Sequence, residues 1–352
     1  MIRWIYFSLD LAKSIFNQLK LSVFLFVSHF LDHFDSDGSD SGVDVVITWV
    51  DGDDVLHQWK RERALSKFKK NAVSKTSKAK RRFSDNQELR YCIRSIRNHA
   101  PWVRRIWLLT DHQFPFYLRF WAARKAGVRV VTHKQVFSGL KGVLPTFNSL
   151  SIESVLWRIP GLSESFIYFN DDVFLSAPVT KEEFFSEKVV IRGRMRRMPV
   201  FDTAKPHFKH QINAFGLLGF SEDNYFSPAH FAHPLKKSVL KKLFEQLSDD
   251  FMKNLAHRFR TNEQFWPIAL ADYYMVQHGL GELQSPNDGF VFSVAKCKNL
   301  SGCELDSLLK KVESGAGKFL CVNFMEMLEE KVPDLRVRLD AIVGPRQFIE
   351  KG

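Results

Sequence analysis

The chain is poor in cysteine. Cys92, Cys297, Cys303 and Cys321 are scattered through 352 residues with no paired Cys-x-x-Cys spacing. That argues against a zinc site, and a chain of this length needs no disulfide framework, so free thiols in a reducing cytosol are expected. A long apolar run is also missing. The best candidate, Leu21 to Val27, is apolar apart from Ser22, far short of the ~20 residues a bilayer crossing needs. The segment after it, His29-Phe30-Leu31-Asp32-His33, has no small-residue cleavage site, so a secretory signal is not expected. Acidic residues are in deficit, 39 against 51 Lys and Arg, for a net charge of +12. Such a balance implies anionic partners: phosphates, a nucleic acid or an anionic membrane face. No nucleic-acid module is recognisable and aromatics are sparse among the basic residues, so nucleic acid ranks last.

Apolar residues are plentiful: 45% of the chain is hydrophobic and 33 residues are Phe. That is enough for one large domain or two ordinary ones. Residues 1–34 form the first unit. Arg3, Asp10, Lys13, Asn17 and Lys20 interrupt its apolar residues at helical spacing, which predicts an amphipathic helix lying on a membrane surface. The plain alternative is a helix packed on the protein's own core. Residues 35–42, Asp-Ser-Asp-Gly-Ser-Asp-Ser-Gly, read as a linker, and residues 43–352 as the main domain.

Val43 to Val50 reads as a buried strand running into the acidic turn Asp51-Gly52-Asp53-Asp54. Trp49 is placed to stack or pack there, and a turn carboxylate to accept from base or ribose hydroxyls. Lys60 to Arg82 carries eleven basic residues against the one acid Glu62. It is a solvated face, a lid over a diphosphate or a membrane patch. Ser84 or Asp85 is placed to cap a helix with Leu89, Ile93 and Ile96 inward and Arg90, Arg94 and Arg97 on a basic face, ended by Pro101. Val103 to Thr110 and Val128 to Thr132 read as further strands with a helix between them, which implies a doubly wound sheet. Thr146, Asn148 and Ser149 open a helix that carries Glu153, offering hydroxyls and amides to an anion.

The stretch Phe166-Ile-Tyr-Phe-Asn-Asp-Asp-Val-Phe174 organises the rest. Its apolar residues read as a buried strand, but adjacent carboxylates need water, donors or a cation. Asp171 and Asp172 therefore belong at the strand's carboxyl end, where open α/β sheets bind ligands. Hard oxygen ligands there suit Mg²⁺ or Mn²⁺ shared with a phosphate. The bland alternative is an Asx-rich turn between strands.

Several separated blocks resemble the Stealth family, sugar-phosphate transferases of bacterial capsule synthesis related to the animal N-acetylglucosamine-1-phosphotransferase. They are Asp44 to Asp54; Arg82 to Asn86 with Glu88 to Tyr91 and Ala100 to Val103; Leu144 to Ser149; Arg158 to Ser163; Phe169 to Val173; Pro228-Ala229-His230; Arg258 to Gln264; Lys318 to Asn323; and Pro345 with Phe348 to Glu350. Together they span about residues 43 to 350. The resemblance implies an α/β, Rossmann-like (GT-A-like), mostly parallel twisted sheet with helices on both faces. It implies that Thr48, Trp49, Asp51, Gly52 and Asp54 help bind the nucleotide of a UDP-sugar. Asp85, Asn86 and Arg90 would line the sugar and diphosphate region, with Asn148 and Asp171 also on substrate. Asp172 would hold Mg²⁺ or Mn²⁺, with Asn323 a second ligand. His230 and Arg260 would sit at the transferred phosphate, with Asp172 the third catalytic residue. Phe324 follows Asn323 where relatives often carry an acid.

The implied reaction moves sugar-1-phosphate from a UDP-sugar to a hydroxyl of a growing capsular polysaccharide and releases UMP. The competing expectation is a metal-dependent glycosyltransferase that releases UDP; a third is a non-catalytic scaffold binding membrane or polyanion. A histidine at His230 would act as base to the acceptor or as nucleophile. Arg260 would clamp phosphate oxygens as a planar fork. The basic stretches Lys60 to Arg82 and Arg192 to Arg197 fit an anionic polysaccharide acceptor, and His207, His210 and His233 read as surface or substrate-channel residues. The expected location is peripheral, on the cytoplasmic face of the bacterial inner membrane.

Overall fold

The computed structural model describes residues 2–32, 42–67, 83–201, 203–220 and 223–351. The predicted linker up to residue 41 and the basic stretch from residue 68 to 82 lie outside the described residues. The first described elements are helix α1 (Ile2–Asp32), strand β1 (Val43–Thr48), α2 (Val55–Leu65), α3 (Glu88–His99), β2 (Ile106–Thr110), α4 (Phe120–Lys125), β3 (Val128–Thr132), α5 (His133–Val136) and α6 (Ser149–Glu153). Then come β4 (Ser165–Asn170), β5 (Val173–Leu175), β6 (Val189–Arg197), α7 (Pro206–Leu217), β7 (Asn224–Pro228), β8 (His233–Lys236), α8 (Lys237–Gln246), α9 (Ser248–Ala256) and α10 (Pro267–Gln277). The chain closes with β9 (Gly281–Gln284), β10 (Gly289–Phe292), α11 (Val294–Asn299), α12 (Gly302–Glu313), β11 (Phe319–Val322), α13 (Met325–Glu329) and α14 (Leu335–Val343).

The main sheet has the order β3-β2-β1-β4-β8, parallel except for β8 at one edge. Every residue of β2, and all but the last of β1, is buried. A strand buried on both faces is what a parallel sheet covered by helices requires, and it explains the unbroken Val-Val-Ile and Ile-Trp-Leu-Leu runs. Two three-stranded sheets, β10-β11-β5 and β7-β6-β9, complete the fold. Because the chain runs outward from β1 through β2 to β3 and then returns to β4 on the other side of β1, the winding reverses between β1 and β4. A crevice opens at the carboxyl ends of strands at such a switch point.

Several boundaries differ from expectation. β1 ends at Thr48 rather than Val50, and β2 begins at Ile106 rather than Val103. The helix expected to be capped by Ser84 or Asp85 instead starts from Gln87, whose backbone is left-handed (φ 68°). The Asp85 carboxylate accepts from the Gln87 amide at 2.9 Å and so shapes the turn before the helix. The expected strand Phe166 to Phe174 is broken at Asp171-Asp172. β4 stays in the main sheet and β5 crosses into the sheet of β10 and β11.

Helix α1 is packed on the body as well as amphipathic. Ser14, Leu21, Phe24 and Ser28 are buried at helical spacing. Phe24 sits 5.1 Å from the Phe120 ring and 5.0 Å from Trp121, Ser14 donates to Asp54, and Ser22 meets His112. The opposite face leaves Phe16, Leu19, Val23 and Phe26 exposed. No described helix is long and apolar enough to cross a membrane.

Two buried ion clusters fix the frame. Asp44 on β1 is fully buried; it accepts from Arg104 Nε (2.9 Å) and Nη2 (2.7 Å), Trp107 Nε1 (2.9 Å) and the Ser163 amide (3.0 Å). Arg94 on α3 pairs with Glu350 and Asp340, tying the last described residues to the core. Leaving either charge alone in a dry interior would cost several kcal/mol, which is why each is matched. The predicted basic face of α3 is thus partly internal: Arg94 is buried in this cluster and Arg97 donates to the Val103 carbonyl. All four cysteines are free.

Candidate functional site

The register of the main sheet pairs Thr48 at the end of β1 with Asn170 at the end of β4. Alternation along β4 puts Tyr168 and Asn170 on one face. The Tyr168 hydroxyl lies 2.9 Å from Thr48 Oγ1, 3.0 Å from Asn170 Oδ1 and 3.3 Å from Glu153 Oε1. Glu153 comes from α6, whose first turn is shaped by Asn148 Oδ1 accepting from the Leu150 amide.

Asp172 follows in the turn after β4. Its carbonyl accepts from the Val322 amide at 2.9 Å, which docks the turn onto the end of β11. There Asn323 donates to Asp172 Oδ2. The other oxygen, Asp172 Oδ1, is buried without a hydrogen-bond partner and lies 3.9 Å from His230 Nε2. His230 also stands 3.5 Å from the Asn170 amide. Asp172, His230 and Cys321 bring their ligand atoms within 4.8 Å of one another. Burial, then the charges of Asp172 and Asp171, push the Cys321 thiol well above its usual range. In the absence of a bound cation it is therefore protonated, and the remaining donors are the Asp172 carboxylate, a hard oxygen, and the His230 imidazole.

Acidic groups crowd this end of the sheet. Burial, then Asp172, Glu88 and Asp85, hold the Asp171 carboxyl well above the usual carboxylate range. Burial also raises Glu88 to about 7 and Asp85 to about 6. Asn86 donates to Glu88 and Glu326 (3.0 and 2.8 Å), which holds Glu88 at the cleft wall. Carboxylates packed so closely are stabilised by a positive charge among them. An orphaned buried oxygen on Asp172 gives such a charge a specific seat, so the residues fit a divalent cation. Asn323, predicted as a ligand, presents its amide N–H₂ to Asp172 Oδ2 and orients that carboxylate.

Opposite the acids lies Arg260, which donates to Ser149 Oγ at the start of α6. Burial lowers its proton affinity and the Glu153 charge opposes that. Burial conversely lifts Glu153 to about 7, against the pull of Arg260. Two connected cavities meet here. One, of about 440 Å³, includes Thr48, Trp49, Asn86, Asn148, Asp171 and Asp172 in its wall. The other, of about 590 Å³, extends along β6 and α7 past Arg194, Arg196 and His207. Ser149, Asn170, His230, Arg260 and Asn323 belong to both.

The predicted residues thus fall into two groups. His230, Arg260, Asp172, Asn323, Asp171, Thr48, Trp49, Asn86 and Asn148 share one cleft. Asn148 lines it with its side chain already engaged by the His257 carbonyl, Gln264 and the Leu150 amide, since it is needed to join α6 to the 254–264 segment. Asp51 and Asp54 line another cavity, of about 720 Å³ beneath α1, whose wall shares Trp49 with the cleft. Asp54 is consumed as the cap of α2, accepting from the His57 amide at 2.8 Å, and by Ser14. Gly52 is pressed on Phe83, whose carbonyl oxygen would lie 2.1 Å from an added Cβ, so glycine there serves close packing. Asp85 is held by the Gln87 amide and the Tyr117 hydroxyl, and Arg90 lies over the Tyr117 ring at 5.6 Å. Neither belongs to the lining of the Asp172 cleft.

Three histidines expected at the surface or in a channel also divide. His207 and His210 both line the second cavity, His210 also bonded to the Thr261 carbonyl (2.8 Å), whereas His233 is a core residue against Tyr168 and Trp266. Within the basic run Arg192 to Arg197, Arg192 is buried against Asp288 and Phe319, so it is not part of the acceptor-facing charge. Glu153 and Tyr168 are site residues that the sequence alone does not single out; Ser149, expected to offer its hydroxyl to an anion, accepts from Arg260. The signal for Tyr168 was its i, i+2 relation to Asn170, and for Glu153 an ionisable residue inside an otherwise apolar Leu-Ser-Ile-Glu turn.

The family model for Stealth protein CR2, conserved region 2, matches residues 82–192. The capsular polysaccharide phosphotransferase fcs1 of Haemophilus influenzae is 32% identical over 283 residues, covering 78% of this chain and 75% of that protein. The chain belongs to the Stealth family. Among other relatives, the exopolysaccharide phosphotransferase SCO2592 of Streptomyces coelicolor is 38% identical over 64% of this Stealth chain. The chain spans only 24% of that relative and 44% of a second Streptomyces coelicolor exopolysaccharide phosphotransferase, SCO6021. Among solved structures, the apo form of mouse xyloside xylosyltransferase 1 aligns with 81% of this Stealth chain and 98% of its own, at 10% identity and a TM-score of 0.40.

Proposed function

We propose that the chain is a polysaccharide phosphotransferase that moves sugar-1-phosphate from a UDP-sugar to a hydroxyl of an anionic surface polysaccharide, releasing UMP. The observation that carries this reading is Asp172 Oδ1, buried and unpartnered 3.9 Å from His230 Nε2 at the switch point of the sheet. The names of the relatives support the reaction class. The donor occupies the acidic cavity beside Thr48 and Trp49. Asp172, oriented by Asn323, would hold a Mg²⁺ or Mn²⁺ ion. When bound, such an ion neutralises diphosphate charge and polarises the phosphorus–oxygen bond. Arg260 is positioned by Ser149 and Glu153 to clamp non-bridging oxygens of the phosphate that is transferred. His230 takes the proton of the acceptor hydroxyl as its oxygen bonds to the phosphorus carrying the sugar. The anhydride bond to UMP breaks, and UMP leaves with that electron pair.

Phosphoryl transfer asks for alignment and charge neutralisation more than for covalent help, and a divalent cation held at Asp172 together with Arg260 would meet that need. The test is incubation with a panel of UDP-sugars, with and without Mg²⁺, followed by chromatography of the nucleotide product. Metal-dependent UMP is expected; UDP as the product would assign a glycosyltransferase instead. The exposed outer face of α1, carrying Phe16, Leu19, Val23 and Phe26, supports peripheral attachment to the inner face of the bacterial membrane.

A further inference from the structure

The two cavities that meet at His230 have opposite chemistry. The wall of the Asp172 cavity includes Glu88, Asp171 and Asp172 with Arg260 as its one strong cation among the described residues. The wall of the second includes Arg194, Arg196, Lys296 and Arg260, with Glu153 its only acid among the described residues. Arg194 and Arg196 stand two residues apart on β6, so they share a face of the strand. Arg196 stacks over the Phe208 ring at 5.5 Å. Phe231, Trp266 and Pro286 supply an apolar floor. No described carboxylate pairs with Arg194, Arg196 or Lys296.

We infer that this second cavity is an acceptor subsite that binds a phosphate group already present on the glycan, held by Arg194, Arg196 and Lys296 with sugar carbons on the apolar floor. The inference rests on the proposed phosphotransfer, whose product is a phosphodiester; a chain extended by this reaction carries such a group close to its growing end. The geometry fits, because the subsite shares His230 and Arg260 with the donor cavity, while Thr48 and Trp49 line the donor cavity and not the subsite. An acceptor bound there would bring its hydroxyl to the shared His230 and Arg260, where the phosphoryl group is transferred. His207 lies in the same wall; burial first, and then the nearby charges of Lys205, Arg196, His230 and Arg260, lower it to about 4, so it is neutral there and leaves the arginines and Lys296 as the wall's cations. A basic wall also sorts acceptors, since a neutral glycan gains nothing from it.

The test uses the full chain with Mg²⁺ and saturating UDP, titrated with methyl glucoside 6-phosphate and separately with unphosphorylated methyl glucoside, read by tryptophan fluorescence. Saturable binding of the phosphorylated probe alone is expected. It should weaken at least about tenfold when salt rises from 0.05 to 0.3 M, as roughly three cationic contacts imply. The triple variant R194A/R196A/K296A should lose binding at least about tenfold while its UDP affinity, which also reports correct folding, stays unchanged. Absence of binding to the unaltered protein would overturn the inference, as would equal binding by the triple variant or competition between probe and UDP. The titration is independent of which nucleotide product the donor assay releases. A failed proposal of phosphotransfer and a failed subsite therefore give different results.

Discussion

Asp44 and Asp172 are carboxylates at opposite ends of the same sheet, and they are treated in opposite ways. Asp44 has four donors on its two oxygens and contributes only to the frame. Asp172 has one oxygen fixed by Asn323 and the other left buried and unmatched. Folding alone favours the first arrangement, because an unmatched buried oxygen costs about 1–3 kcal/mol. The difference separates a charge that serves stability from one held ready for a ligand.

The largest expected effect is on chemistry. Asp172→Asn should reduce UMP release about a thousandfold, since it removes the negative charge that would hold the divalent cation at the donor phosphates. It should leave the unfolding free energy from urea titration within about 0.5 kcal/mol of the parent or raise it. A large loss of stability would erase the contrast. Asp44→Asn should do the reverse. It strands the Arg104 charge and should lower stability by about 3 kcal/mol, measured by urea unfolding, with turnover per folded molecule nearly unchanged.

A third buried polar group sharpens the comparison. His233 has an unpartnered ring nitrogen, like Asp172, but it is enclosed between Tyr168 and Trp266. Burial lowers it from 6.5 to about 3. Unfolded chains therefore take up a proton below about pH 6.5 that the folded protein refuses, and stability falls as pH drops. Relative to His233→Phe, the parent should lose on the order of 2 kcal/mol between pH 7.5 and 5. Equal pH slopes in urea titrations would show that His233 is not sealed from protons.

The smallest effect is expected at α1, whose inner face is committed and whose outer face is not. Phe16→Ser with Phe26→Ser should reduce sedimentation with anionic vesicles several-fold while leaving UMP release unchanged. Unaltered sedimentation would reject a membrane role for that face.

Much of this arrangement was legible in the residues. Alternating strands and helices predicted the doubly wound sheet, and the Asn170-Asp171-Asp172 break marked the rim of its crevice. Less legible was anything set by contacts distant in sequence. Asp54 and Gly52 look like ligand residues in the 51–54 turn, but Ser14, His57 and Phe83 claim them. Asn148 looks like an anion donor until Gln264 and His257 are brought beside it. Hydropathy made α1 amphipathic, yet Phe114, Phe120 and Trp121 were needed to show which face is occupied. Tyr168 is hidden because an apolar neighbourhood makes any strand tyrosine look like core.

The turn between β4 and β5 carries one further consequence. It delivers Asp172, but its counterparts arrive on other stretches: His230 between β7 and β8, Arg260 after α9, Asn323 after β11. The segment matched by the CR2 family model, residues 82–192, includes Asp172 and none of these three counterparts. A gene fragment encoding that segment alone would inherit the family's most recognisable signature without inheriting a working reaction centre, and a chimera joined anywhere between residues 172 and 323 would have to preserve a meeting point that no single parent segment contains.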